Sequence, residues 1–281
     1  MLVFILFKRG EIKIEAYLVH HGILGMKWGV RRYQNYDGSL TAAGQKRYWV
    51  KSGKTITQNH DGSSTIPSGF KFNRVGKITL DVNQSGGLYV SYGKEDAARY
   101  VKNLGPTPIA KLLGTAGVAV QHISVKKAMK MPSAEQTAAE ITRLLLSNEK
   151  LLKNFNDSIY SLAITGNFDK SISKEDLEKA LELPKGKEAQ KISYGVSSFL
   201  GDPNYADDSK LIYEHFRNKG YDVIPDIHDR LSGTSTTAMI VINPDKVEME
   251  SSTVISKDVM KLAKEYVKTL DKLKISDIIR D

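Results

Sequence analysis

The 281-residue chain contains no cysteine. That excludes disulfides and thiolate metal sites, and it fits a reducing compartment or a particle indifferent to compartment. Long apolar runs are also missing. The N-terminal "MLVFILF" stops after seven residues at Lys8 and Arg9. A signal peptide puts its charge first and adds a cleavage site, and a membrane span needs about 20 apolar residues. A short strand or a misassigned start codon is expected there, and no membrane partner. Phosphate-binding loops are absent too: "GKEDAARY" lacks G-x-x-x-x-G-K-[ST], and no G-x-G-x-x-G follows a strand. "VSSFLG" is not a nucleophile elbow, so nucleotide and serine hydrolysis of the familiar kinds are poor fits. The histidines are scattered without HExxH or close carboxylate spacing, so ligand spacing predicts no metal site. His122, in a strand with Val120 and Ile123, is expected to face solvent.

What is present is ordinary in bulk and uneven in place. Apolar content of 41% and charged content of 26% allow a sizeable core in one large domain, or one domain with appendages. The net charge of +9 sits near the N-terminus. Residues 1–60 carry ten Lys or Arg against three acids, and the remaining residues carry 31 against 29. Such a block suits nucleic acid or an acidic protein surface, or is simply a solvated arm. From Gly22 to Gly69 the chain is rich in Gly, Ser, Asn and Thr, with turns predicted at "YDGS" (36–39) and "HDGSS" (60–64). We read residues 1–69 as a basic, weakly structured arm and 70–281 as the folded domain.

Order is expected from Phe70. "FKFNRVGKITLDV" and "LYVSY" read as strands around a turn at "NQSGG", and "KEDAARYVKNLG" as a helix that Gly105 ends. "AVQHISVKKAMKM" reads as one strand stopped by Pro132. A single long helix is predicted over "SAEQTAAEITRLLLSNEKLLKNF", opened by a Ser133/Gln136 capping box, with Ile141, Leu144, Leu145, Leu151 and Leu152 as its apolar stripe. "SKEDLEKALEL" and "DDSKLIYEHFRNKG" read as helices, the latter closed by Gly220, and "YDVIPDI" and "AMIVIN" as strands. The last helix is "SKDVMKLAKEYVKTLDKLKI". This mixed order predicts an α+β fold. In "IPDIHD", Asp226 and Asp229 stand three apart at a strand end: such a pair serves as acid and base, holds a cation, or caps a turn.

The segment "HHGILGMKWGVRRYQN" (20–35) has neither helical nor strand period, yet it concentrates two His, three Gly, a Trp and three cations. From His21 to about Tyr48 it resembles the H-x-G-x-x-G-M-K-W-G-V-R-R segment of tailed-phage and prophage proteins, often encoded among head-assembly genes. A segment of this kind is best explained as something another molecule reads. Met26 and Trp28 would anchor it, while His21, Lys27, Arg31 and Arg32 would supply the polar rim. Capsid or scaffold proteins are the expected partners, with contact to packaged DNA as the alternative. The expected location is the virion, or the host bacterial cytoplasm during infection or lysogeny.

Residues 70–250 carry a second resemblance. "GGLYVSYGKEDAARY" is similar to the tyrosine motif of ADP-ribosyltransferases, and "FNRVG" to their first core strand. The resemblance implies a mainly antiparallel sheet cradle with flanking helices, and NAD as cofactor. Tyr89 would stack on nicotinamide, with Tyr100 and Ser91 beside it, and Arg74 would hold the diphosphate. Without the resemblance, Tyr89 reads as core packing and Arg74 as a solvated face. Active members place a glutamate on a late strand, where this chain offers Thr237 or Ala238. The "EME" acids Glu248 and Glu250 are then the catalytic candidates, in an unusual register. Otherwise the domain keeps the cradle without the chemistry, and that reading is preferred. Three functions remain open: an accessory head protein with such a domain, an active mono-ADP-ribosyltransferase acting on a host macromolecule, or a purely structural virion protein.

Overall fold

The computed structural model describes residues 54–77, 82–103, 118–161, 171–182, 187–231, 235–255, 260–261 and 263–268. The chain divides into two units, Met1–Val50 and Lys51–Asp281, and every described residue belongs to the second. Among these residues the fold mixes helices with three small sheets, all antiparallel.

The first sheet joins β1 (Thr57–Gln58), β2 (Ser64–Ile66) and β6 (Met129–Met131). Strands therefore begin ahead of Phe70, within the stretch expected to be weakly structured. The "HDGSS" turn links β1 to β2: Gly62 takes φ 81°, and Asp61 Oδ1 accepts the Ser63 N–H at 2.9 Å. The second sheet orders β3 (Lys71–Lys77), β5 (Val118–Val125) and β9 (Val247–Val254) as β3-β5-β9. The third orders β4 (Leu88–Val90), β7 (Val223–Pro225) and β8 (Met239–Val241) as β4-β8-β7. Among the described residues a single bridge, Asn73 to Ser91, ties the second sheet to the third. Between β3 and β4 the two sheets thus diverge and leave a cleft.

The expected strand 119–131 is two strands in two different sheets, broken at Lys126, Lys127 and Ala128. The expected long helix is also two. α2 (Ala134–Ser147) ends where Asn148 caps α3 (Glu149–Asn156), its side chain accepting the Leu151 N–H at 2.9 Å. The Ser133/Gln136 capping box at the start of α2 is present. α1 (Lys94–Asn103), α4 (Lys174–Glu182) and α6 (Ala206–Asn218) lie close to their expected places, and Gly220 follows α6 at φ 80°. α5 (Lys187–Phe199) and the short α7 (Ile227–Leu231) complete the set, with residues 260–261 and 263–268 also helical. Among the described residues no helix is long and apolar enough to cross a membrane.

The third sheet is buried on both faces, which explains the unbroken apolar run "AMIVI". Ile224, Ile240 and Ile242 pack into the core formed by α2 to α6. Their neighbours Val223, Met239 and Val241 pack into a second core with Phe70, Phe72 and Ile123. Alternation along β4 follows the same rule: Leu88 and Val90 join the sheet-side core, whereas Tyr89 lies against the helices. That register aims the Tyr89 ring toward α5.

Candidate functional site

Each wall of the cleft is set by local chemistry. On β3, Arg74 Nη1 donates to Gln121 Oε1 of the neighbouring strand β5 at 3.0 Å, which ties the guanidinium across the sheet. α1 is fixed at its start by a polar staple. The buried Asp96 accepts the backbone N–H of Thr237 at 3.1 Å, and the Thr237 hydroxyl in turn accepts the N–H groups of Tyr92 and Gly93 at 3.1 and 2.8 Å. One turn further along α1, the Tyr100 hydroxyl donates to Asp229 Oδ2. Burial, then that bond, pushes the Tyr100 phenol far above its usual range. Thr237, a candidate for the missing acid, is therefore a structural staple, while Ala238 lines the cleft.

A cavity of about 210 Å³ occupies the split and is lined by Arg74, Tyr89, Ser91, Tyr100, Asp226 and Asp229, among others. All four residues implied as cofactor contacts by the second resemblance are in this wall. A larger cavity of about 520 Å³ lies on the helix side, with Tyr89, Tyr160, Tyr194, Asp226, His228 and Asp229 in its lining. Tyr89, Asp226 and Asp229 belong to both. The two acids that end β7 and open α7 thus stand where the cavities meet, and their turn geometry serves the site as well. Asp226 Oδ1 accepts the Asp229 N–H at 3.2 Å, which folds the first turn of α7 back over the carboxylate.

Electrostatics single out this junction. Asp226 is only 3% exposed. Burial, then the charge of Asp229, pushes its carboxyl up from 3.8 to about 6. Tyr89 is pushed well above its usual range by burial, with Tyr213 and Asp226 adding to the shift. Its hydroxyl lies close to that of the fully buried Tyr213, and each bears on the other's titration. The His228 ring lies against Tyr194, centroids 4.8 Å apart at 39°.

Glu248 and Glu250 are elsewhere. Both are exposed on β9, two strands from β3, and neither lines a cavity described here. Glu250 pairs with Lys71. Lys71 and Arg74 are three apart on one strand and so point to opposite faces. The catalytic assignment of these glutamates is corrected: the cleft's acids are Asp226 and Asp229. His228 stands between these two acids in "IPDIHD", so its grouping with them was legible in the spacing and was missed by counting the histidines singly. His122 is half-buried rather than solvent-facing, with Nδ1 3.0 Å from Ser251 Oγ and Nε2 shut off from solvent. The docking residues His21, Met26, Lys27, Trp28, Arg31 and Arg32 lie outside the described residues.

Comparison with known proteins adds one finding. Residues 11–35, which include all six docking residues, match a family of unknown function (DUF7211). No curated protein matches the chain, and no solved structure does.

Proposed function

We propose that the folded unit is a dinucleotide-binding cleft of ADP-ribosyltransferase type, carried by a phage or prophage head-associated protein behind a basic docking arm. NAD is the ligand this reading assigns, with Arg74 on the diphosphate, Tyr89 on the nicotinamide ring, and Ser91 and Tyr100 beside it. One observation carries the cleft. Arg74, Tyr89, Ser91 and Tyr100 come from β3, β4 and α1 and the turn between them, yet all line one cavity. Ligand sites are typically concave, apolar-walled and marked by a few convergent polar groups with perturbed titration, and this cleft has each of those features. The placement of Glu248 and Glu250 outside it favours an accessory protein that binds without glutamate-driven transfer. The support for head association is the segment from His21 to Tyr48, and capsid or scaffold proteins are its partners, with packaged DNA as the other.

Calorimetric titration of the purified protein with NAD tests the cleft. Saturable binding is expected, weakened about tenfold or more by Arg74→Ala, since hydrogen bonds to a charged group contribute about 1.5–3 kcal/mol. Absence of binding would refute the reading. In parallel, labelled NAD is incubated with host lysate. No transfer is expected, and transfer abolished by Arg74→Ala would instead favour an active transferase acting on a host protein.

A further inference from the structure

Beyond Tyr89, the larger cavity of about 520 Å³ is given no task by the dinucleotide reading. Three tyrosine rings line it, and Tyr89 is the one it shares with the smaller cavity. The other two are held by their neighbours. Tyr160 donates its hydroxyl to Asp202 Oδ2 at 3.0 Å and sets its ring edge-on to Phe199, centroids 6.3 Å apart. Tyr194, on α5, packs against the His228 ring. Ile159, also in the lining, is 69% exposed and so stands at the mouth.

Two buried polar side chains face this space with hydrogen-bonding capacity unused. Ser197 of α5 is 5% exposed and lines the cavity, yet its hydroxyl has no hydrogen-bond partner among the described residues. The next residue shows the usual alternative: Ser198 returns its hydroxyl to the Tyr194 carbonyl, one turn back, at 3.1 Å. Asp226 spends Oδ1 on the Asp229 N–H at 3.2 Å and has no partner for Oδ2 among the described residues. Buried polar atoms are normally paired, so both are set to accept from an occupant of the cavity. Charge narrows what that occupant is. The described lining holds Asp226 and Asp229 but no Lys or Arg, which disfavours an anion. A neutral polyol would meet the Ser197 hydroxyl and leave the buried negative charge unmatched. Tyrosine faces attract cations as well. Burial, then the charge of Asp229, raises the Asp226 carboxyl to about 6, another mark of that unmatched charge.

We propose that the larger cavity binds a protonated primary amine carried on an apolar stem. The ammonium would donate to Asp226 Oδ2 and to the Ser197 hydroxyl oxygen, with the stem against the Tyr160 and Tyr194 rings and leaving past Ile159. A primary amine fits because two acceptors need N–H donors, and a quaternary ammonium has none. The volume is that of an ordinary small-molecule site. The acids supply only the charge; the aromatic walls select the stem, and Ser197 selects the N–H. A free amine and a lysine side chain of another protein share this chemistry, and the test separates them. The proposal goes beyond the dinucleotide reading, and failure of NAD to bind leaves it standing.

Calorimetric titration of the full-length chain with phenethylamine tests it, beside phenethyl alcohol and hydrocinnamate, its neutral and anionic counterparts. For an amine this small, saturable binding in the high micromolar to millimolar range is expected. The alcohol should bind about tenfold more weakly or worse, and the anion should not bind. Asp226→Asn keeps the volume of the buried carboxyl and should remove most of the preference for amine over alcohol. Ser197→Ala should weaken the amine about twofold to tenfold, and Tyr194→Leu by a similar factor. The Glu248→Gln/Glu250→Gln double variant removes two exposed acids away from the cavity and should bind the amine as the unmodified chain does. Circular dichroism and melting establish which variants fold, and the amine–alcohol comparison on the unmodified chain decides the matter without any variant. Nα-acetyl-lysine methylamide identifies the source: binding weaker than phenethylamine points to a free amine, tighter binding to a lysine side chain, and either supports the site. The proposal is overturned by absence of saturable amine binding, by equal affinity for amine and alcohol, or by an undiminished preference in folded Asp226→Asn protein.

Discussion

Replacing Asp226 by Asn gives a stability change that can be worked from the structure. The carboxyl is buried, ends β7 and titrates near 6 instead of 3.8. The groups that bear on it are Asp229, His228 and Arg230 of α7, with the Tyr89, Tyr100 and Tyr213 phenols across from it. Because the folded state holds this proton more tightly than the unfolded chain, the favourable contribution is fully present below pH 3.8. It is lost as pH rises through about 6, where both states are ionised. A shift of about two units corresponds to about 3 kcal/mol at roughly 1.4 kcal/mol per unit. Asn keeps the volume and an oxygen to accept the Asp229 N–H, but it has no charge to bury. Urea unfolding of both proteins, metal-free with chelator, from pH 3.5 to 7.5, yields a difference curve in which most other titrating groups cancel. Asp226→Asn should match the unmodified chain near pH 3.5 and exceed it by up to about 3 kcal/mol at pH 7. A flat difference, or one that grows toward acid, would refute the claim that Asp226 is an ionised group forced into a dry junction.

Two further outcomes follow from the packing and from the arm. A Cβ on Gly87 would stand 2.7 Å from the Tyr213 hydroxyl and 2.9 Å from its ring, whereas on Gly76 it would meet the flexible end of Arg74 at 2.8 Å. Thermal melting should therefore show Gly87→Ala destabilised by about 1–3 kcal/mol and Gly76→Ala within about 0.5 kcal/mol; equal losses would show that the fully buried Tyr213 ring can give way as easily as the end of Arg74. For the arm, Trp28→Ala leaves every cation in place and should still reduce incorporation into phage particles. If incorporation persists in that variant and disappears only when Lys27, Arg31 and Arg32 are neutralised, the aromatic anchor is refuted and a DNA or acidic-surface contact replaces it.

Features that depend on a few neighbouring residues were legible in the sequence: the capping box of α2, the turn at Gly62, Gly220 beyond α6, the buried run of β8. Each is decided by hydrogen bonds or steric limits within about four residues. The break at Asn148 was missed in favour of one long helix, although an Asn followed by Glu-Lys-Leu is itself a cap signal and outweighs the continuing apolar stripe. Other features were settled only by partners far along the chain. Nothing local says that residues 118–125 pair with β3 and β9 while 129–131 join β2, and that division is what ends the expected strand. Strand alternation says only that Lys71 and Arg74 face opposite ways on β3; the Lys71–Glu250 pair and the placement of β9 beyond β5 are what remove the glutamates from the cleft. The residue types by themselves determined an α+β chain with a cationic leader and a set of candidate polar groups. Tertiary structure decided which of them meet, because a cleft between two sheets is made by pairings across more than a hundred residues, which no local preference encodes.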